Sequence, residues 1–216
     1  MTELPEPTDL RRVRGDRTRG AVLDHAVQQA SVRGLEALSF GGLAESAPVN
    51  KSAIAGLFGS KEKLQLAAVE RAAEIYREHV VVPARSAERG LARVWALVLA
   101  WTEYSRSRVF LGGCFFRTVE MEFDMREGPV RDAVAEAQRS WESYVAHQVR
   151  TAVDAGELAP GVDALQVSFE LNAMLNAAND RSLLFDDDDV YDRALVAMRA
   201  LLVARGADPA VLGAPG

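Results

Sequence analysis

The chain has 216 residues, 49% of them hydrophobic, and a formal net charge of −6. This size allows one large domain or two small ones, each with a substantial core. No apolar stretch approaches the roughly 20 residues of a membrane helix, and the N-terminus lacks the apolar region of a signal peptide, so we expect a cytoplasmic protein with no membrane partner. A single cysteine, Cys114, excludes an internal disulfide framework.

Residue usage favours helices along the whole chain. Aromatic residues make up 7% of it, and β-branched runs are scarce beside Ala, Leu, Arg and Glu. Because these four residues are good helix formers, the sequence predicts an all-α protein of about nine helices.

Positive charge is concentrated in the N-terminal part of the chain. Residues 10–64 contain nine Lys and Arg against five Asp and Glu, a net charge of +4, which leaves −10 for the remainder. All three lysines, Lys51, Lys61 and Lys63, fall in this segment. A basic segment joined to an acidic remainder is typical of a DNA-binding unit attached to a domain with another role.

Residues 1–16 are predicted to form a disordered basic arm, because prolines and polar residues are followed there by arginines. The arginines are typical of a tail that contacts phosphates or the minor groove, and equally of a solvated terminus. An amphipathic helix is then predicted over residues 18–33, where apolar side chains recur on one face.

Residues 35–64 carry the signals of two short helices joined by a tight turn. Ser39 is a good N-cap for the first helix, because its hydroxyl can accept from a free backbone N–H. Pro48 ends that helix, since it lacks an N–H and disfavours helical geometry in the residue before it. Asn50 is suited to cap the second helix, predicted over residues 51–57.

The outward side of the second helix has few bulky side chains. Ile54, Leu57 and Phe58 form its inward face, which leaves small and polar residues outside. A short helix of this kind fits the DNA major groove, which is wide enough to accept one helix. Ser60 is expected to cap the next helix, and lysines at its start suit phosphate contacts. The residues predicted to contact DNA are Ser39, Asn50, Lys51, Ser52, Ala53, Lys61 and Lys63.

These motifs resemble the helix-turn-helix of the TetR family of bacterial transcriptional regulators. The resemblance rests on AESAPVNKS at residues 44–52, FGSKEKL at residues 58–64, and RGAVLDHA upstream at residues 19–26. The chain departs from the family pattern at Pro48, where the family usually has Gly. It departs again at Ala55, where the family usually has a Tyr that contacts a DNA phosphate.

The resemblance implies an N-terminal three-helix DNA-binding domain over residues 17–63. It implies a larger helical ligand-binding and dimerisation domain over residues 64–206, and residues 207–216 are predicted to be a loose tail. In the family, the last two long helices pair with their copies in a second subunit. Helices of the larger domain are predicted over residues 61–82, 86–105, from about 114, 129–155, 163–179 and 190–204, with Gly112 and Gly113 in a loop or a close approach.

Several residues of the larger domain are candidates for a ligand cavity, chosen from composition and position. Cys114 is typical of a redox sensor or of a small buried apolar residue. Asn172, Asn176 and Asn179 recur at helical spacing and suit either a ligand or a polar seam at an interface. The residues predicted to bind a ligand are Trp101, Tyr104, Phe116, Glu120, Trp141 and Phe169.

Catalytic motifs such as a Gly-rich nucleotide loop, a P-loop, H-E-x-x-H or a nucleophile elbow are missing from the sequence, so we expect no enzymatic activity, cofactor or metal site. The resemblance implies a homodimeric regulator, a repressor, which binds double-stranded operator DNA and is released by an unknown small-molecule effector. Two alternatives stay open: a small-molecule sensor or binding protein with weakened DNA affinity, and an all-α enzyme of an unrecognised kind.

Overall fold

The computed structural model describes residues 7–213, with side chains from residue 15 onwards. Within that range the chain forms nine continuous helices and no β-strand, which confirms the predicted all-α fold. None of these helices is both long and apolar enough to span a membrane. The helices are α1 (Pro7–Arg33), α2 (Phe40–Ser46), α3 (Lys51–Phe58), α4 (Lys61–Tyr76, continued by a π-helical turn at Arg77–Val81 and by Val82–Ala84), α5 (Leu91–Arg106), α6 (Phe115–Phe123), α7 (Pro129–Asp154), α8 (Ala164–Phe185) and α9 (Asp189–Val203).

Helix α1 begins at Pro7, well before the predicted start at residue 18. The prediction of a disordered arm is therefore wrong for residues 7–16, and residues 1–6 lie outside the described range. Proline is favoured at the first helical position because an N–H there has no intrahelical partner to lose, and arginine is a good helix former. The basic arm is in fact the first part of α1.

Residues 7–59, which we call the head, contain α1 to α3. The predicted caps are present: Ser39 Oγ accepts from Gly42 N at 3.0 Å, and Asn50 Oδ1 accepts from Ala53 N at 2.9 Å. Such side-chain caps satisfy backbone N–H groups that have no partner within a short helix. The side chain of Ile54 in α3 is fully buried, and the head packs around it.

Helix α4 joins the head to residues 85–213, which we call the body. The sequence predicts an end at residue 82, but the helix continues to Ala84 through the π-helical turn Arg77–Val81. Proline inside an α-helix removes one hydrogen bond and clashes with the carbonyl one turn earlier. The wider turn directly before Pro83 makes room for the proline ring, so the proline widens the helix without ending it.

The body packs α5 to α9 beside α4 around a cluster of aromatic rings. The ring of Tyr76 lies at the centre, with centroids 5.4 Å from Tyr104, 6.0 Å from Phe116 and 5.2 Å from Trp141. All three pairs meet edge to face, the arrangement that the aromatic quadrupole favours. Because Tyr76 belongs to α4, the helix that enters the head is held by the core of the body.

Two body helices differ in extent from the prediction. Helix α5 begins at Leu91, after Gly90 with φ +96°, instead of at residue 86. The Leu91 N–H donates to Glu157 Oε2 at 2.8 Å, a long-range contact that no local pattern encodes. Helix α8 runs past Asn179 to Phe185 and ends where Asp186 adopts the left-handed conformation.

The segment after α9 is not loose over its described part. Ala207 and Leu212 are buried, and Arg199 donates from Nε to the Gly213 carbonyl at 3.0 Å and from Nη2 to the Pro209 carbonyl at 3.2 Å. The predicted loose tail is therefore wrong for residues 207–213, because apolar burial and an arginine fix it. Residues 214–216 lie outside the described range.

The loop before α6 approaches α1 closely enough to exclude any side chain. A Cβ added to Gly112 would lie 1.9 Å from the Ser31 carbonyl oxygen, and one on Gly113 would lie 2.2 Å from Asn179 Oδ1. Gly113 also has φ +79°, a conformation that L residues with side chains rarely adopt. The predicted close approach at this glycine pair is confirmed.

Substituting Gly112→Ala should lower the free energy of unfolding by about 1–3 kcal/mol, the usual effect of overpacking, because the Ser31 carbonyl belongs to the α1 backbone. Gly20→Ala is the matched control, since nothing lies within 4 Å of its added Cβ in the interior of α1. This control should raise stability by up to about 1 kcal/mol through helix propensity. Urea denaturation measures both changes, and a neutral Gly112→Ala variant would contradict the close approach.

Candidate nucleic-acid interface and body cavity

Helix α3 exposes the side that the sequence predicts to face DNA. Lys51, Ser52 and Ala53 are exposed, while Ile54 and Phe58 are buried beneath them with 0% and 4% of their surface accessible. The helix therefore presents a small, polar surface and is anchored from behind by two apolar side chains. A helix with this profile can enter a major groove without steric conflict.

Two cations flank α3 in an open groove of about 540 Å³. Arg19 of α1 and Lys63 of α4 both line this groove, together with the C-terminal end of α3. The Arg19 guanidinium lies 5.0 Å from the centroid of the Phe58 ring, which holds it in place. Arg19 begins the upstream motif of the resemblance, but it is not among the residues predicted from the sequence to contact DNA.

Lys61 takes a different position from the one predicted for a phosphate contact. Its Nζ donates to the Glu36 carbonyl at 2.6 Å and to Glu36 Oε2 at 3.1 Å. Ser39 and Asn50 keep their exposed positions, but each uses its side-chain oxygen to cap a helix. The head thus brings Lys51, Ser52 and Ala53 onto one helix face and directs Lys61 toward the turn between α1 and α2.

That turn is held from both sides by what we call the clamp, formed by Glu36, Lys61, Gln65 and Glu122. The Glu122 carboxylate, on α6, accepts from the backbone N–H of Leu35 at 2.6 Å and of Glu36 at 3.0 Å. From α4, Gln65 Nε2 donates to the Leu35 carbonyl at 3.0 Å and to Glu36 Oε1 at 2.9 Å. The hydrogen bonds from Gln65 and Lys61 lower the pKa of Glu36 below its ordinary value. The clamp therefore joins the head, α4 and the body in one polar network.

The end of α1 is bound to the body by further polar contacts. Thr118 Oγ1 of α6 donates to the Ser31 carbonyl at 2.9 Å, and the Gly112 N–H donates to Ser31 Oγ at 3.1 Å. Gln28 donates to the Val109 carbonyl at 2.8 Å. Sequence reasoning missed this junction and Glu122 with it, because the bonded residues lie 81 to 87 positions apart.

The body contains two adjoining cavities that share Tyr76, Phe116, Gln138 and Trp141 as lining. The outer cavity measures about 330 Å³ and the inner one about 50 Å³. Two arginines also line the outer cavity: Arg77 in α4, and Arg85 directly after the end of α4. Of the predicted ligand residues, those that line the inner cavity are Trp101, Phe116, Glu120 and Trp141.

The other two predicted ligand residues lie elsewhere. Tyr104 is buried in the aromatic cluster behind Tyr76 and does not line either cavity. Phe169 is 65% exposed on α8, so its assignment to a cavity is wrong. The apolar residues of α8 occupy more than one side of the helix, and periodicity alone did not reveal which side faces inward.

Polar groups at the inner cavity are only partly satisfied. Asn172 Oδ1 accepts from Trp141 Nε1 at 2.6 Å, and Glu120 Oε2 accepts from Gln138 Nε2 at 2.9 Å. Asn172 Nδ2 and the Tyr76 hydroxyl are buried and have no hydrogen-bond partner among the described residues. Buried polar atoms in native proteins are usually paired, so these two are suited to contact a ligand.

Cys114 and Asn179 have structural positions in the body. The Cys114 side chain is buried, and burial raises the pKa of its thiol, which favours the small apolar interpretation over a reactive thiolate. Asn179 Oδ1 accepts from the Cys114 N–H at 2.8 Å and from Ser105 Oγ at 3.0 Å. Of the three spaced asparagines, Asn172 and Asn176 therefore face the cavity, and Asn179 fastens α5 to the loop before α6.

Large apolar side chains are exposed on α8 and α9. Phe169 is joined by Leu165 near the start of α8, by Leu184 near its end, and by Val196 on α9. Each of these side chains is more than half exposed. A group of exposed apolar residues on two neighbouring helices is typical of an interface.

Two family models match the chain. The model described as "Bacterial regulatory proteins, tetR family" matches residues 22–68, and the one described as "Tetracyclin repressor-like, C-terminal domain" matches residues 90–198. No curated protein matches the chain. The first match spans the second part of α1, α2, α3 and the start of α4, and the second spans the cavity lining contributed by α5 to α8.

Several solved structures share the fold. A TetR transcriptional regulator from Chloroflexus aurantiacus J-10-FL has a TM-score of 0.83 and 23% identity, over 89% of this chain and 97% of that one. A TetR-family transcriptional regulator from Cytophaga hutchinsonii has a TM-score of 0.78 and 19% identity, over 96% and 100%. AibR, solved with isovaleryl coenzyme A and operator DNA, has a TM-score of 0.63 and 16% identity, over 76% and 86%.

The clamp yields a prediction about stability. Glu122→Gln places an amide –NH₂ where one oxygen of the carboxylate accepts from the backbone, so one of two charge-assisted hydrogen bonds is lost. We expect the free energy of unfolding to fall by about 1–3 kcal/mol. Glu127→Gln, in the exposed segment after α6, is the matched control. Its melting temperature in thermal unfolding should equal that of the unmodified protein. Equal melting temperatures for both variants would show that the Glu122 contact contributes nothing.

Proposed function

Since the chain belongs to the TetR family of bacterial transcriptional regulators, we propose that it is a ligand-responsive repressor that binds operator DNA as a homodimer. The observation that carries the proposal is the outward face of α3, where Lys51, Ser52 and Ala53 are exposed above the buried Ile54 and Phe58. This face reads base edges in the major groove, and neighbouring cations bind the phosphates.

The phosphate contacts come from side chains that are available for them. Lys51 and Lys63 are exposed and have no ion-pair partner among the described residues, so their charges are not offset by the protein. Asn50 and Ser39 contact the sugar-phosphate backbone through the groups that capping leaves free. Lys61 acts mainly through the clamp, because its ammonium group is engaged by Glu36.

The homodimer forms through the exposed apolar residues of α8 and α9. Phe169 and Leu184 have 65% and 76% of their surface accessible. Large apolar side chains exposed together in this way are typical of a protein–protein interface. A two-fold axis through this face places the two copies of α3 on the same side of the dimer. Their separation then sets the spacing of the two operator half-sites.

Ligand release acts through α6, which touches the cavity and the head at once. Phe116 and Glu120 line the inner cavity, and Glu122, less than one turn beyond Glu120, holds the turn between α1 and α2. A ligand that favours a shifted α6 changes the position of the head and so the separation of the two α3 helices. AibR, which has this fold, was solved with both an acyl thioester and operator DNA. A ligand shifts the population between the two positions of α6 by as much as its affinity for the two forms of the protein differs.

A second candidate function is a small-molecule sensor with weakened DNA affinity. Ala55 favours it, because a methyl group stands where the family usually places a Tyr that contacts a phosphate. Pro48 stands in the turn between α2 and α3 and changes its backbone relative to the usual Gly. Operator affinity measured on the unmodified protein distinguishes the two functions.

The DNA-binding proposal predicts different effects for two lysines. In gel shifts with the DNA upstream of its own gene, Lys63→Ala should weaken binding to all sequences alike and reduce the slope of log affinity against log salt by roughly 2 per dimer. Lys51→Ala should also change which base substitutions in the operator are tolerated. Arg150→Ala, at an exposed position on α7, is the control and should bind as the unmodified protein does. Identical profiles for the two lysine variants would contradict this assignment.

The dimer proposal predicts that Phe169→Glu produces a monomer, because a carboxylate would be buried without a partner at the interface. Light scattering coupled to size exclusion measures the mass. Leu111→Glu is the matched control, since Leu111 is 65% exposed in the loop before α6 and belongs to neither α8 nor α9. A monomeric unmodified protein, or a Phe169→Glu variant that stays dimeric, would refute the interface.

A further inference from the structure

The two adjoining cavities form one slot that is lined by aromatic rings. Tyr76, Phe116 and Trp141 line both cavities, with rings meeting edge to face. Ala73, Val81 and Ala137 complete the apolar wall of the outer cavity. Its volume of about 330 Å³ falls at the small end of the range of about 300–1,000 Å³ for small-molecule sites. The slot therefore suits a compact ligand with an apolar part.

The outer cavity carries uncompensated positive charge. Arg77 and Arg85 both line it, and the structure gives neither side chain an ion pair or hydrogen-bond acceptor within the described residues. The acid on the same cavity, Glu136, is already engaged, since Arg139 donates to its Oε2 at 3.1 and 3.3 Å. Two guanidinium groups with free donors are suited to bind a carboxylate or a phosphate group.

The opposite end of the slot offers hydrogen-bond donors. Because Asn172 Oδ1 accepts from Trp141 Nε1, the orientation of the amide is set and Nδ2 is left as an unpaired donor. The buried hydroxyl of Tyr76 is unpaired as well. An acceptor oxygen on a ligand would satisfy both groups.

The charged groups at the inner cavity are paired only in part. Arg117 forms a two-pronged ion pair with Asp180, with N–O distances of 2.8 and 3.1 Å, and Glu120 accepts from Gln138. Glu142 also borders the cavity and is exposed to solvent, as Arg77 and Arg85 are, so solvent screens all three charges. The positive charge that a ligand meets therefore lies at the outer end, and the inner end carries the carboxylates of Glu120 and Glu142.

From this arrangement we infer that the cavity binds an amphipathic organic anion. Its carboxylate or phosphate lies between Arg77 and Arg85, its apolar part lies against the three rings, and an acceptor oxygen reaches Asn172 and Tyr76. The inference deepens the proposed function, because it assigns a chemical class to the effector of the same cavity. Arg77 opens the π-helical turn of α4, so an anion bound there contacts the helix that enters the head.

Isothermal titration of the full-length protein with 2-naphthoate tests the charge. We expect 2-naphthoate to bind at least tenfold more tightly than the neutral 2-naphthamide, and more tightly than the cation 2-naphthylmethylammonium. 2-Naphthyl phosphate, a second arm, shows whether a phosphate is preferred to a carboxylate. Equal affinity for the acid and its amide, or tighter binding of the cation, would overturn the inference.

Variants test the position of the anion. Arg77→Gln and Arg85→Gln should each weaken 2-naphthoate binding about tenfold, while Arg150→Gln, which removes the same charge from an exposed site outside the cavity, should have no effect. All variants are first checked for an unchanged circular dichroism spectrum and melting temperature. Losses of the same size at Arg150 would mean that only overall charge matters, and this too would overturn the inference.

A ligand with an additional acceptor oxygen tests the two unpaired donors at the inner cavity, Asn172 Nδ2 and the Tyr76 hydroxyl. 6-Methoxy-2-naphthoate, which carries an acceptor at its far end, should bind more tightly than 2-naphthoate, and Tyr76→Phe should reduce this advantage. A gel shift without ligand is run in parallel. Operator binding with no preference for anions would refute the inference and leave the proposed repressor intact, whereas anion binding without operator binding would support the inference and refute the repressor.

Discussion

The Glu122 carboxylate holds the molecule together as a functional unit. It accepts two backbone N–H groups from the turn between α1 and α2, at 2.6 and 3.0 Å, and it does so from the helix that also lines the inner cavity. Carboxylate bonds to backbone N–H groups are stronger than neutral ones and are restricted in direction. The head therefore has a defined position relative to the cavity, and in the proposed function both the contact of α3 with DNA and the response to a ligand depend on this position.

Helix α4 provides the second connection, and its two ends have different partners. Lys61 and Gln65 bind Glu36 and the Leu35 carbonyl in the head, while Tyr76 lies at the centre of the aromatic cluster of the body. The positive head and the negative remainder are thus joined by a helix that takes part in both cores. Arg77, the first residue of the π-helical turn, belongs to that same helix.

The sequence predicted what is encoded locally. Ser39 and Asn50 cap their helices through bonds to residues three positions away, and the burial of Ile54 and Phe58 follows from helical periodicity. No local pattern predicted contacts between residues far apart in sequence, such as the hydrogen bond between Glu122 and Leu35, which lie 87 positions apart. The assignment of Phe169 to a cavity failed because α8 is apolar on more than one side, and only tertiary packing decides which side is inside.

Three glycines lie at close contacts between structural elements. Gly34 directly follows α1, and Gly112 and Gly113 belong to the loop before α6. An added Cβ would lie 2.5 Å from Glu122 Oε2 at Gly34, 1.9 Å from the Ser31 carbonyl at Gly112, and 2.2 Å from Asn179 Oδ1 at Gly113. None of these positions touches the outer cavity or the exposed face of α3. Under the proposed function, a random mutagenesis screen for variants that no longer respond to an inducer should therefore recover substitutions at these three glycines, none of which lines either cavity or the exposed face of α3.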